Sequence, residues 1–247
     1  MNMLRLNCDL GESYGSWSMG LDQEIMPSID QANIACGFHA GDPLIMARTV
    51  AFASEHKVEI GAHPAYPDLV GFGRRSMNCS SEEIVALLHY QIAALDGICS
   101  THGTTLSYVK PHGALYNDMM RDTRIRAAVM QAVSSYARPL KLMILSTGEL
   151  EIHQQEASEL ELQLMLEGFA DRRYTPEGQL QNRAIEGAVL NEADSMMQVR
   201  QLFEKGTVVA SDGKELRLQV DSLCVHGDNP AALNAVREIR QLINASR

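Results

Sequence analysis

Short apolar runs alternate along this chain with longer stretches in which apolar positions recur at helical spacing. The short runs predict strands at Arg5–Asp9, Gln31–Gly37, Val58–His63, Leu106–His112, Lys141–Leu145, Leu162–Phe169 and Ser222–His226. Between them, Ile84, Leu87, Leu88, Ile92 and Leu95 share one face of a helix over Glu82–Ile98. Ser80 and Glu83 form a capping box ahead of it, and Gly97 sits near its end. Residues 123–136 repeat the pattern with Ile125, Ala128, Val129, Ala132 and Val133. The last helix opens on Pro230, a favoured first-turn residue, and places Leu233, Val236, Ile239 and Ile243 on one side.

Strand–helix alternation with short connections predicts a parallel sheet covered by helices. Seven such units in 247 residues without a linker favour a closed or nearly closed β/α barrel, with 1–247 as a single domain; an open doubly wound sheet is the alternative. No G-x-G-x-x-G follows the first strand and no P-loop occurs, which weakens a dinucleotide or Walker-type reading. One stretch breaks the rhythm. Thr207–Val220 alternates around Asp212-Gly213, the signature of a small β-hairpin inserted before the last strand.

Composition narrows the function classes. A net charge of −10 argues against a broad nucleic-acid or anionic-membrane surface. The cysteines, Cys8, Cys36, Cys79, Cys99 and Cys224, contain no C-x-x-C pair and read as reduced thiols. The opening "MNMLRLNCDLGE" lacks a signal-peptide pattern, and no apolar run approaches the length of a membrane span, so a cytoplasmic protein without nucleic-acid or membrane partners is expected.

Active sites of parallel α/β folds form beyond the C-terminal ends of the strands. Those ends are polar here. Asn7 and Asp9 close the first strand, His39 and Asp42 follow the second, and His63 ends the third. Lys110 and His112 end the fourth, Glu167, Asp171 and Arg172 the sixth, and His226 and Asp228 the seventh. At a strand period of two, Asn7/Asp9, Lys110/His112 and His226/Asp228 project as same-face pairs. Asp9, Asp42 and Asp228 also suit simple capping, and Arg172 with Arg173 suits a solvated pair. Burying a lysine with several histidines and carboxylates is costly unless a site uses them, which favours chemistry. Asp9, His63 and His112 match the ligand types of Zn²⁺ or another divalent ion; without a metal they form a general acid–base cluster. Lys110 would supply positive charge to an oxyanion or a phosphate. No G-x-S-x-G elbow and no reactive-cysteine setting occurs.

The segments "LNCDLGE", "NIACGFHAGD", "IGAHPAYPD", "VKPHGALYN", "EGFADRRYTPEGQL" and "CVHGDNP", in this order from first strand to last helix, resemble the LamB/YcsF family. Ala184-Ile185-Glu186-Gly187-Ala188 departs from it, because the family usually has a proline before Gly-Ala. The resemblance implies a seven-stranded TIM-like barrel similar to the glycoside hydrolase/deacetylase superfamily. It implies ATP-dependent (Mg²⁺) hydrolysis of 5-oxo-L-proline to L-glutamate together with subunits B and C, and leaves room for a homo-oligomer. Catalytic roles then fall on Asp9, His63, Lys110 and His112. Substrate or phosphate binding falls on Asn7, His39, Asp42, Glu167, Asp171, Arg172, His226 and Asp228. In related metal-dependent deacetylases a strand-end Asp and two His residues hold a divalent ion, matching Asp9, His63 and His112 by motif position. Two other readings compete: a stand-alone metal-dependent deacetylase or amidohydrolase of a small or sugar substrate, and a non-catalytic partner-binding subunit.

Overall fold

A computed structural model describes residues 4–227 and 229–245. In chain order its strands are β1 (Arg5–Leu10), β2 (Gln31–Ala35), β3 (Glu59–His63), β4 (Leu106–Val109), β5 (Lys141–Leu145), β6 (Leu164–Phe169), β7 (Thr207–Val209), β8 (Glu215–Arg217) and β9 (Ser222–Val225). All but β7 and β8 run parallel and close into a barrel, because β9 pairs with both β6 and β1. That double pairing excludes the open sheet. The helices are α1 (Asp22–Ile25), α2 (Pro43–Glu55), α3 (Ser81–Thr101), α4 (Gly113–Arg121), α5 (Thr123–Ser134), α6 (Leu150–Ser158), α7 (Glu192–Lys205) and α8 (Pro230–Ala245). The hairpin expected around Asp212-Gly213 is β7–β8, turning through Gly213 at φ +86°.

Alternation along the strands separates two environments. Leu6, Cys8, Ile34, Ile60 and Ala62 belong to the main core, which also takes in Leu88, Ile92 and Leu95 of α3 and Val129 of α5. The intervening residues fill the barrel interior. Its floor is Tyr108, Met143 and Met165. Gly61 leaves room for the Tyr108 ring, since a Cβ there would lie 2.1 Å from it. Above the floor the filling turns polar: Tyr108 Oη donates to Asn33 Oδ1 (2.6 Å), Asn33 Nδ2 to Asn7 Oδ1 and Asp9 Oδ1 (2.8 Å each), and Asn7 Nδ2 to Ser222 Oγ (2.8 Å). A polar column thus rises from the core to the C-terminal mouth.

Two expectations about α3 change. The Ser80/Glu83 capping box forms, but the helix passes Gly97 and ends ahead of Gly103, which takes the left-handed conformation at φ +67°. With 21 residues and a mean hydropathy of 1.3 in its most apolar stretch, α3 also has the length and composition of a membrane span, contrary to the sequence reading. Its Ile84, Leu88, Ile92, Leu95 and Cys99 are buried in the main core, which accounts for that composition.

Candidate active site

The strands deliver their polar ends to one cavity of about 420 Å³, lined among others by Asp9, Glu12, His63, Lys110, His112 and His226. β4 stops at Val109 rather than His112, because Pro111 has no N–H to continue the ladder. The pairing nevertheless persists at alternate residues: Lys110 N donates to the Ala62 carbonyl and His112 N to the Pro64 carbonyl, both at 2.8 Å. Both side chains therefore still line the mouth.

Lys110 is 3% exposed and lies between two carboxylates, with Nζ 2.9 Å from Asp9 Oδ1 and 2.8 Å from Glu167 Oε1. Burial opposes its charge, but Asp9 and Glu167 outweigh it and hold its pKa well above the usual lysine range. Burial likewise opposes the Asp9 carboxylate, but His63 and Lys110 prevail and hold it well below the usual range. Tyr116 Oη, from the first turn of α4, donates to Glu167 Oε2 at 2.7 Å and fixes the far side of the clamp. Cys224 Sγ stands 3.4 Å from Lys110 Nζ, yet burial pushes its pKa far up, so it remains a thiol and no nucleophile.

The histidines form a second group. A carbonyl oxygen only accepts, so His63 carries its proton on Nδ1, donating to Lys110 O (2.7 Å), and His112 on Nε2, donating to Phe72 O (2.9 Å). The two remaining nitrogens, His63 Nε2 and His112 Nδ1, face each other at 2.9 Å. Two lone pairs in that position require either a proton between them or a shared cation. His39 stacks on His112 at 3.7 Å between centroids, with Nε2 3.1 Å from Glu12 Oε1 and a buried, unpartnered Nδ1. Burial, reinforced by the neighbouring imidazoles, lowers the pKa values of His39 and His112 and keeps them in the neutral form that metals bind. One donor atom each from Glu12, His39, His63 and His112 falls within 4.8 Å of the others. Carboxylate plus neutral imidazoles, with lone pairs converging, fits Zn²⁺ or a similar divalent ion. Glu12 and His39 thereby join the expected ligands, while Asp9 sits beside the set, its Oδ2 3.4 Å from His63 Nε2.

On the β6–β9 side, His226 Nδ1 lies 2.9 Å from Asp171 Oδ2; burial works against its charge, but Asp171 prevails and raises its pKa. Arg172 is buried rather than solvated. Of the expected residues, the fold thus brings Asp9, His39, His63, Lys110, His112, Glu167, Asp171, Arg172 and His226 to the C-terminal end, with Asn7 inside the barrel beneath them, bonded to Asn33 and Ser222. It does not bring Asp42: this carboxylate caps α2 through Leu44 N and Ile45 N and also accepts from Gly15 N, leaving it committed to backbone. Asp228 lies outside the described residues. The lysine expected to meet phosphate charge is already neutralised by two carboxylates, so it does not support the expected ATP site on this chain. The turn at Ala184–Ala188 forms without the family's proline, through Ile185 N to Asn182 O and Ala188 N to Ile185 O, with Gly187 at φ +77°.

With this constellation in place, comparison with known proteins is decisive: residues 4–247 match the LamB/YcsF family. The chain belongs to the LamB/YcsF family. It is 55% identical over 242 residues to a Pseudomonas putida protein named as an A-type subunit of 5-oxoprolinase, covering 98% of this chain and 94% of that relative. It is 54% identical over 245 residues to the like-named 5-oxoprolinase component of Pseudomonas fluorescens, covering 99% and 98% of the two chains. The crystal structure of a lactam utilization protein from Thermus thermophilus matches with a TM-score of 0.90 and 39% identity, covering 99% of this chain and 97% of the other. Being named as one component of 5-oxoprolinase places those LamB/YcsF relatives in multi-subunit assemblies.

Proposed function

We propose that this chain is the lactam-opening component of a cytoplasmic, ATP-dependent 5-oxoprolinase that converts 5-oxo-L-proline to L-glutamate together with subunits B and C. The observation that carries the reading is the Asp9–Lys110–Glu167 clamp beside the Glu12/His39/His63/His112 group at one cavity. Near-full-length similarity to relatives named as 5-oxoprolinase components supports the substrate.

A lactam carbonyl is a weak electrophile, and transfer of the γ-phosphoryl of Mg²⁺·ATP to its oxygen makes C5 attackable. Because Lys110 is already neutralised, the nucleotide is assigned to the partner subunits. Water then adds to C5, the C5–N bond breaks, and the nitrogen takes a proton. The resulting acyl phosphate is hydrolysed by a second water to the carboxylate and phosphate. Asp9, kept ionised by Lys110, accepts the proton of the attacking water. His226, whose proton Asp171 retains, delivers one to the leaving nitrogen. A divalent ion held by Glu12, His39, His63 and His112 would add Lewis acidity at this cavity. Phe169 and Leu180 offer apolar surface for the ring methylenes.

Glutamate release from 5-oxoproline and ATP is to be compared for this chain alone, subunits B and C alone, and the assembly. Formation only by the assembly, and its loss on Asp9→Asn with the complex intact, is the expected result. Hydrolysis of a small amide by this chain without ATP would instead mark a stand-alone metal-dependent amidohydrolase, and full activity of Asp9→Asn a partner-binding subunit.

A further inference from the structure

Two arginines of the chain that follows β6, Arg172 and Arg183, line the same cavity. Lys110 is taken up by Asp9 and Glu167, and Asp171, the carboxylate next to Arg172, is engaged by His226 at 2.9 Å. Arg172 is 7% exposed; its Nη2 donates to the Gln181 carbonyl at 2.6 Å, while its Nε is buried without a partner. Arg183 lies on the exposed rim of the same cavity, and its charge reaches Arg172. Neither forms an ion pair among the described residues. Burial, then Arg183, pulls the Arg172 pKa down to about 10, and the Asp171 charge opposes them only in part.

The position is rigidly built. Gln198 of α7 donates through Nε2 to the carbonyls of Phe169 (2.9 Å), Ala170 (3.2 Å) and Arg172 (2.9 Å), and Arg172 bridges antiparallel to Val189. A buried N–H without a partner is costly and calls for an acceptor, and the guanidinium fork matches a carboxylate.

We infer that Arg172 and Arg183 form a subsite for a ring carboxylate, which in the proposed reaction is the α-carboxylate of 5-oxoproline. This rests on the lactam-opening reading and adds the element that orients the substrate. Around the barrel, β6 is followed by β9 and then β1. A carboxylate held at Arg172, after β6, directs the adjacent ring nitrogen towards His226, after β9. It directs C5 towards Asp9, at the end of β1. That order agrees with His226 as proton donor to the leaving nitrogen and Asp9 as base. Lactams without the carboxylate lose this anchor.

The test uses the complete assembly with ATP, with 5-oxo-L-proline and with 2-pyrrolidinone, the same lactam lacking the carboxylate, as substrate or competitor. Arg172→Met is expected to raise the KM for 5-oxoproline about 10- to 100-fold, with a smaller change in kcat, the loss expected for a charge-assisted pair. Arg183→Gln, on the exposed rim, keeps the fold and should raise KM about 3- to 10-fold. Arg172→Lys, which retains charge but loses the fork, falls between them. Interaction of 2-pyrrolidinone should be unchanged in all three. Unchanged KM in Arg183→Gln and Arg172→Lys, or equal losses for both lactams, overturns the subsite while leaving the proposed reaction standing. No 5-oxoproline turnover by the wild-type assembly overturns both.

Discussion

The two mouths of the barrel are both lined with charge, and they differ in what the charge is doing. The N-terminal mouth holds the larger cavity, about 850 Å³ against about 420 Å³ at the C-terminal mouth. Its acidic side chains are nonetheless committed to the framework. Arg5 pairs with Glu59, and Arg240 with Asp30 at 2.6 Å. Asp30 and Asp221 accept from the backbone N–H of Leu6 (2.8 Å) and Leu166 (2.9 Å), finishing the sheet where strands begin. At the C-terminal mouth Lys110, Glu167, His39, His63 and His112 are buried, and Lys110 and the imidazoles face one another or a carboxylate. Cavity size therefore does not locate the chemistry. The donor atoms of Glu12, His39, His63 and His112 converging on one point do.

Substitutions at the two ends should separate sharply. Asp9→Asn, which keeps shape and removes charge, should lower turnover by the assembly about 100- to 10,000-fold, measured as glutamate release. Lys110→Met should cost about 100- to 1,000-fold. It should also destabilise the chain by about 3–5 kcal/mol in denaturant melts, because Asp9 and Glu167 are left facing each other without a cation. Glu12→Ala and His39→Ala should reduce the divalent metal bound by the purified chain, read by elemental analysis, by about 10-fold or more; unchanged metal content would remove these residues from the ligand set.

Between the two ends, Gly61→Ala should cost about 1–3 kcal/mol by forcing the Tyr108 ring aside, seen as a lower melting temperature. Because Tyr108 supports Asn33 and through it Asp9, part of the activity should fall with it. The smallest effects belong to the lower mouth: Arg5→Gln should cost about 1 kcal/mol or less, and Lys141→Gln should leave turnover within about twofold. A large activity loss there would break the contrast.

The barrel was legible because strand period and helix period are both written plainly in the chain, and the site was legible where it obeys the strand period. Asn7/Asp9 and Lys110/His112 are such pairs. What escaped lies off that period. Gly11, at φ +70°, turns the chain after β1 so that Glu12 swings back towards the mouth, which a period-two count ending at Asp9 does not reach. Asn33 sits inside an apolar strand and looks like filler until the closed barrel shows it bonding Asp9. Tyr116 reads as helix packing, and Arg183 lies in irregular chain beyond Arg172. Asp42 shows the reverse case: of the two roles open to it in the sequence, capping is the one seen, at the start of α2.

The most direct measurement sets Asp9→Asn against Lys141→Gln in the reconstituted assembly, with 5-oxoproline and ATP, after confirming that both variants fold and assemble. Turnover lost in Asp9→Asn and kept in Lys141→Gln is the expected result. Full turnover in Asp9→Asn, or its loss in Lys141→Gln, would contradict placing the chemistry at the C-terminal mouth.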